Sequence, residues 1–422
     1  MNERLISALG IICGTFVTDV ALAQSWSWQK LAMEALEDYP SIQASLSEQQ
    51  AAEADLDAAR WQRFPTPSIQ ASQTDDGTDT TLLQLQQPLW TGGRINAGVD
   101  AAKARLEAAG SGIGEAEQAV LLRLAETYVE AVRRQEQQSI SVENVRQHEE
   151  LRNLIRRRVN QQISPEVDLA LADSRLAQAS SELSSINQQL SIALDQLSEL
   201  AGEPVESVVP DLDWEAQLPG SRAMAEREAL QYSPELSRIE GERVAASADV
   251  RAERAKFFPI VAVRVEHENG GSGIDQDETR ALLVLESEFD AGLSTLAGQN
   301  AAAARRDALV RERQTAEREL RTEVAVAWQQ WLAAQVRLDS AEQQREGTRQ
   351  VFESYTRQYV IGQKSWLDVL NAVREATAAS LAVEDARAEM RGPMLRLALL
   401  TGRLGDLATA TTYRASAAED QP

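Results

Sequence analysis

The sequence predicts a mainly α fold with a small β part, built from two copies of one unit made of helix, β-hairpin and long helices. Two observations carry this prediction. A strand-like segment passes through a glycine pair into an alanine-rich helix at "QQPLWTGGRINAG", and the same join recurs 200 residues later in "SEFDAGLSTLAGQN". After each join come helical stretches with long heptad seams of small and aliphatic residues.

The correspondence runs residue by residue. Leu89 falls on Phe289, Gly92 on Gly292, Gly98 on Gly298, Asp168 on Asp368 and Gly202 on Gly402. Upstream the offset is 194, so that "ALEDYP" ending at Pro40 matches "ALQYSP" ending at Pro234, and "ARWQRFP" ending at Pro65 matches "ERAKFFP" ending at Pro259. Six extra residues therefore enter between Pro259 and Phe289. A period of roughly 200 residues is far longer than that of solenoid repeats and marks a duplicated domain.

The first 23 residues have the pattern of a secretory leader: Arg4, an apolar run from Leu5 to Val17, and the small residues Ala21 and Ala23 around the expected cut. Asp19 ends the run short of the about 20 apolar residues that a membrane-spanning helix needs. Cys13, the one cysteine, lies inside this leader behind Ile12, so the mature chain is expected to carry no disulfide and no lipid anchor. The first repeat is expected over 24–215, with a hairpin at about 66–90 and long helices at about 94–160 and 165–201. The second is expected over 216–405, with a hairpin at about 259–290 and helices at about 294–360 and 365–401. A tail, 406–422, follows.

In the helices, Leu169, Ala172, Leu176, Ala179, Leu183, Ile186, Leu190, Ala193, Leu197 and Leu200 alternate steps of three and four, the spacing of a coiled-coil seam. Val369, Ala372, Ala376, Ala379, Val383, Ala386, Met390, Pro393, Leu397 and Leu400 repeat it, with Pro393 expected to kink or break its helix. The segments 94–160 and 294–360 contain no proline, and a helix of that length extends on the order of 100 Å, which implies a rod, a fibre or a tube wall.

In the strands, Ile69 and Ala71 alternate with Ser68, Gln70 and Ser72, and Leu83, Leu85 and Leu89 with Gln84 and Gln86. Val261, Val263 and Val265 alternate with Arg264 and Glu266, and Leu283, Leu285 and Phe289 with Glu286 and Glu288. One wet face and one apolar face suit either a sheet lying on the helices or a membrane barrel with a polar lumen. Four strands cannot close such a barrel, so a barrel would need several chains. The net charge of −23 disfavours nucleic acid as a partner.

Four stretches, "QPLWTGGRINAG", the proline-bounded hairpins "FPTPSIQ" and "FFPIVAV", and "YVIGQKSWLDVLNA" from Tyr359 to Ala372, resemble the outer-membrane efflux protein family, the TolC-like channel tunnels. The resemblance covers essentially the whole mature chain. It implies a homotrimer in which four strands per chain form one barrel in the outer membrane of a Gram-negative bacterium, continued by an α-helical coiled-coil tunnel in the periplasm. It also implies two partners, a periplasmic adaptor (membrane fusion protein) and an inner-membrane transporter, and no cofactor. Gly92, Gly93 and Gly292 would then sit at the junction of barrel and tunnel.

The turns at 160–166 and 360–366 become the periplasmic tip, where Gln162, Ile163, Gly362 and Gln363 are the residues implied to dock the adaptor. Gly362 matches the family's tip glycine, whereas Gln162 departs from it. For the gate the resemblance implies Asp368 as a ring aspartate, Asn371 where some members carry a second aspartate, Tyr359 as a constricting tyrosine, Lys364 where an arginine is found, and Asp168 as its acidic partner. Repulsion within a threefold ring is expected to raise the apparent pKa of Asp368.

The function implied is the exit duct of a tripartite export system. The tryptophan in "QPLWTGGRI" and the missing lipidation cysteine favour type I protein secretion, such as that of a large adhesin, over drug or metal efflux. A periplasmic coiled-coil scaffold or the adaptor itself is the reading from another class, and it leaves the alternating strands unexplained. For an enzyme the sequence offers little. His148 and His267 are the only histidines, no metal-ligand spacing occurs, and "TGGRINAG" lacks the Gly-Lys-Ser/Thr ending of a phosphate loop.

Overall fold

The computed structural model describes residues 25–73, 79–210, 218–269, 278–287 and 294–404. The expected leader, the tips of both hairpins, Phe289, Gly292 and the expected tail 406–422 lie outside these residues. In chain order the elements are α1 (Trp28–Asp38), α2 (Pro40–Trp61), β1 (Thr66–Gln73), β2 (Asp79–Trp90), α3 (Arg94–Asn160), α4 (Glu166–Ala201), α5 (Arg222–Tyr232), α6 (Pro234–Ala255), β3 (Ile260–Asn269), β4 (Glu278–Glu286), α7 (Ser294–Val360) and α8 (Trp366–Leu400).

Each half opens with a helix cut in two by a proline. Pro40 and Pro234 have no amide to continue the helix before them, and each begins the next helix at a position where that amide has no partner anyway. In the second half Ser233 completes the break, its hydroxyl accepting from the Leu236 amide at 3.3 Å. The duplication is visible in the lengths, since α1 and α5 both have 11 residues, α2 and α6 both 22, and α3 and α7 both 67.

The strands form one antiparallel sheet in the order β1-β2-β3-β4. Its register places Ile69 opposite Leu83, Leu85 opposite Val265, and Val263 opposite Leu283, so that one face collects the aliphatic side chains. The other face collects the polar ones, where Gln84 donates to Glu266 at 3.3 Å, Arg280 to Glu266 at 3.2 Å and Arg264 to Gln86 at 2.8 Å. Among the described residues nothing covers the aliphatic face: Ile69 is 71% exposed, Leu283 74% and Leu285 70%.

The helices keep the order of the strands. Near the sheet, α3 packs on α2 and α6, and α6 on α7. The ion pairs Arg105–Asp249 and Arg313–Glu240, at 2.6 and 3.8 Å, tie these neighbours together. Column by column, α2 leads into β1, β2 into α3, α6 into β3 and β4 into α7. Beyond the middle of the molecule α4 and α8 take over the places beside α3, and α7 stays at the far edge against α8. Arg152–Asp173 at 2.6 Å joins α3 to α4, and Arg337–Glu389 at 2.7 Å joins α7 to α8.

Every residue of the α4 seam from Leu169 to Leu200 is buried or half-buried, as is every residue of the α8 seam. α8 also buries Leu370, Val373, Leu395 and Leu399, because it lies between α7 and α3, whereas α4 is at an edge. The break expected at Pro393 is absent: α8 runs through it without interruption to Leu400. One lost amide bond costs a helix about 3 kcal/mol when nothing compensates. Here Met394, Leu395, Leu397 and Ala398 are all buried and hold the final turns in place.

The main core lies at the level where α2 and α6 give way to α4 and α8. Trp28, Leu31, Leu124, Tyr128, Val132, Leu197 and Leu395 meet there, with the Trp28 and Tyr128 rings edge to face at 5.7 Å. Trp26 pairs with the backbone of Ser207 and Val209 at 2.9 Å on each side, which ties the chain after α4 to the start of the first repeat.

At the sheet-to-helix join, Gly92 and Gly93 both have positive φ, 61° and 90°. A Cβ on Gly92 would lie 2.6 Å from Phe258 Cβ and 3.0 Å from the Ala255 carbonyl oxygen, while one on Gly93 would meet nothing. Left-handed backbone costs an ordinary residue about 1–2 kcal/mol. Gly93→Ala is therefore expected to lower unfolding stability by about that amount. Gly92→Ala should cost clearly more, since β3's approach must also give way. Thermal unfolding of the two variants side by side measures the difference, and equal losses would contradict the packing role of Gly92.

Candidate functional site

The end of the molecule far from the sheet is closed by two turns of the same construction. The α3 turn ends with the Gln162 amide donating to the Val159 carbonyl at 2.8 Å and the Ile163 amide to the Arg158 carbonyl at 2.9 Å. After α7 the Gly362 amide donates to Tyr359 at 3.0 Å and the Gln363 amide to Gln358 at 2.9 Å. Both are the paired C-terminal bonds of a Schellman motif, which requires a left-handed residue at its centre. Gly362 supplies it with φ 79° and Gln162 with φ 59°, the one positive-φ residue other than glycine among those described. The departure of Gln162 from glycine thus leaves the turn unchanged in shape and adds strain. Ile163 and Ile361 stand exposed at its apex.

Behind the turns lies a small core of Leu151, Ile155, Ala172, Tyr359, Trp366, Val369, Leu370 and Val373. Tyr359 is buried against Trp366, ring to ring at 5.9 Å, with the Arg158 guanidinium 4.9 Å from its ring centre. Burial pushes its phenol pKa up, while Arg158 and a hydrogen bond with Ser164 oppose that and Asp168 adds to it. Asp168 thus lies close enough to Tyr359 for its charge to act on the phenol. Lys364 is elsewhere: its ammonium lies 4.1 Å from the centre of the Tyr355 ring, and it forms no ion pair with Asp168 within the chain.

Asp368 closes a capping box at the start of α8. Its carboxylate accepts from the Ser365 hydroxyl at 2.7 Å and the Ser365 amide at 3.0 Å, and the Ser365 hydroxyl accepts from the Asp368 amide at 3.2 Å. These bonds, with Lys364 adding to them, hold the carboxyl below its ordinary pKa. Within one chain the direction is opposite to that expected of a repelling ring, so any assembly must work against the cap to protonate this residue. Asn371 is exposed one turn further on. It lines a cavity of about 310 Å³ between α3, α4 and α8, together with Arg374, Arg175 and Glu182, and with His148, whose imidazole pKa is pushed down chiefly by burial.

Sequence reasoning missed Arg158, Ser164 and Trp366. The Ser365-Trp366-Leu367-Asp368 spacing is a capping-box signal legible in the sequence. The Arg158 and Ser164 contacts with Tyr359 join residues far apart in the chain, and no local pattern announces them.

A family model described as Outer membrane efflux protein matches residues 31–203 and 226–403 of this chain. The Pyoverdine export outer membrane protein OpmQ of Pseudomonas aeruginosa is 27% identical over 155 residues, which make up 36% of this chain and 33% of that protein. The protein of the same description from Pseudomonas putida is 28% identical over 159 residues, again 36% and 33% of the two chains. The match thus spans about a third of the length of these relatives. Among solved structures, CusC superposes with a TM-score of 0.77 at 18% identity, covering 90% of this chain and 95% of that one. The outer membrane protein VceC from Vibrio cholerae does so with a TM-score of 0.75 at 18% identity, covering 89% and 96%. At these identities the structural likeness is one of fold.

The two turns make opposite predictions about glycine. Gln162→Gly is expected to stabilise the chain by about 1 kcal/mol through relief of left-handed strain, and Gly362→Ala to destabilise it by a similar amount. Thermal denaturation followed by circular dichroism reads both. Destabilisation by Gln162→Gly would mean that its side chain contributes more than its backbone costs.

Proposed function

The chain belongs to the outer membrane efflux protein family, and on that premise we propose that it is the exit duct of a tripartite export system, working as a homotrimer with a periplasmic adaptor and an inner-membrane transporter. Its place is the outer membrane. The observation that carries the proposal is the sheet: four strands with both edges, β1 and β4, unpaired among the described residues, and an aliphatic face that none of the described elements covers. Open edges are not tolerated in lipid, where every backbone polar group needs a partner. Pairing β1 of one copy with β4 of the next removes the edges, turns the aliphatic face to lipid and leaves the Gln84, Arg264, Glu266 and Arg280 side chains in the lumen. In this reading the protein is a conduit and performs no chemistry.

At the other end, Tyr359, Asp168 and Asp368 form the gate in this reading, with Lys364 turned toward Tyr355 until neighbouring copies engage it. Gln162, Ile163, Gly362 and Gln363 form the docking tip. For the cargo we favour protein secreted by a type I system, on the tryptophan-bearing join "QPLWTGGRI" and the missing lipidation cysteine. Small-molecule efflux is the second reading, favoured by the similarity to two proteins described by pyoverdine export. Deleting the chain from its host separates them. Loss of a secreted protein from the medium with unchanged small-molecule export supports secretion, and the reverse result selects efflux.

The gate reading predicts the behaviour of the duct in planar bilayers. Three Asp368 carboxylates at a narrow mouth concentrate cations and repel anions. Asp368→Asn is expected to reduce cation selectivity and to blunt block by divalent cations, and Asn371→Asp to strengthen both. Unchanged selectivity and block in Asp368→Asn channels would remove Asp368 from the gate while leaving the duct intact.

A further inference from the structure

Within the chain the first repeat packs on the second through α3, which meets α6 near the sheet and α8 beyond it. In a ring of copies the second repeat meets the first repeat of the next copy. There α7, the equivalent of α3, takes the place beside α2 and α4, the equivalents of α6 and α8. Each contact across the boundary inside the chain therefore assigns a pair of residues to the boundary between chains, through the offsets of 200 and 194.

The transfer is most telling where α4 and α8 end. Gly114, Glu117, Gln118 and Leu121 of α3 close over Tyr232, Ala398, Leu399 and Gly402 of the second repeat and leave a cavity of about 110 Å³. Gln118 donates there to the Leu399 carbonyl at 3.3 Å. The first-repeat equivalents of the covered residues, Asp38, Ser198, Glu199 and Gly202, line a much larger cavity of about 600 Å³. Its lining comes from the α1–α2 joint and the end of α4 alone, so the helix that would close it is missing from the chain.

The chemistry of the two places differs as well. Tyr232 and Leu399 are replaced by Asp38 and Glu199, and Glu34, Asp195 and Glu203 join them, with no lysine or arginine in the lining. Among the described residues none of these five carboxylates forms an ion pair. On the opposite edge of the molecule Gln118 and Leu121 are replaced by Arg318 and Arg321, both exposed on α7 and without an ion pair among the described residues. Glu317, which stands where α3 has Glu117, is held by Arg313 at 2.8 Å. One edge has thus become acidic and the other basic at the same level of the unit.

Nearer the sheet the pair Arg105–Asp249, at 2.6 Å, maps onto Arg305 and Asp55, which are exposed and have no ion pair among the described residues. Its neighbour Arg251–Asp100 maps onto Asp57 and Asn300, which can share a hydrogen bond but not an ion pair.

We propose that α7 of one copy docks into the acidic cavity of the next, with Arg318 beside Glu199, Arg321 beside Asp38, and Arg305 beside Asp55. The partner is a second copy of this chain, and the inference rests on the homotrimer reading. A guanidinium suits the task because its fork of N–H donors matches a carboxylate. Charge at this seam also selects the edges, since two acidic or two basic edges brought together repel.

The test follows the decay of detergent-purified trimers to monomers by native mass spectrometry, at a temperature where native trimers decay measurably, with helix content read by circular dichroism. Arg318→Glu with Arg321→Glu is expected to speed the decay about tenfold at unchanged helix content, and Asp38→Arg with Glu199→Arg to do the same. A chain carrying all four substitutions restores opposite charges at every boundary and should decay within about twofold of the native rate. Decay unchanged by either reversal, or a combined chain no better than its two parents, would overturn the docking and leave the trimer standing. Native protein that yields only monomers would overturn the homotrimer reading and the docking with it.

Discussion

A sheet of four strands with two free edges and one bare aliphatic face can stand alone in neither water nor lipid. In water the aliphatic face is exposed at a cost of roughly 25 cal/mol per Å² of apolar surface. In lipid each unpaired backbone group at the edges costs several kcal/mol. The helices offer no relief, because they continue from the ends of the strands and do not lie across either face. In the proposed reading, the rest of the chain keeps this sheet in a form that other copies can complete.

The order of columns is how that is achieved. Strands β1-β2-β3-β4 and helices α2-α3-α6-α7 occupy the same sequence of places, so the edge strands adjoin the edge helices α2 and α7. Whatever closes the sheet therefore brings helical edges together as well. Neighbouring strands are about 4.8 Å apart, whereas packed helices are 8–10 Å apart, so the wall must widen within a few residues where one becomes the other. Gly92 and Gly93 perform that change in the first half, with left-handed backbone at both and with Phe258 packed where a side chain on Gly92 would be. The six residues added in the second half fall away from this join, toward the tip of the hairpin, since Thr66 opposite Gln86 and Ile260 opposite Glu286 are equivalent pairs at the foot of the two hairpins.

Much of this was legible in the sequence because its causes are local and repeated. The offsets of 194 and 200 located both copies, the three-and-four spacing located the α4 and α8 seams, and period-two alternation located the two faces of the sheet. The misreadings share one origin, a tertiary contact overriding a local preference. Pro393 reads as a kink or a break, and of the two the break does not occur, since buried neighbours on α3 and α7 hold the helix on either side of it. Gln162 departs from the family's tip glycine, yet the same pair of backbone bonds forms the turn there. The buried polar residues Gln137, Ser141, Asn144 and His148 on α3 were not predicted at all. They meet α8 across the chain, where Thr377 donates to Asn144 at 3.0 Å and Gln137 to Asp385 at 2.9 Å.

The account stands or falls on which edges pair. Within one chain β1 and β4 are separated by two other strands, about 14 Å at the usual spacing, too far for a disulfide. The only cysteine, Cys13, lies before the described residues, and with it replaced the introduced cysteines report alone. Cysteines placed along β1 at Gln70 or Ala71 and along β4 at Leu282 or Leu283, oxidised in native membranes, should yield species of two and three linked chains and none larger. Chains that remain unlinked at every pairing, or that link without limit, would contradict a closed ring of three.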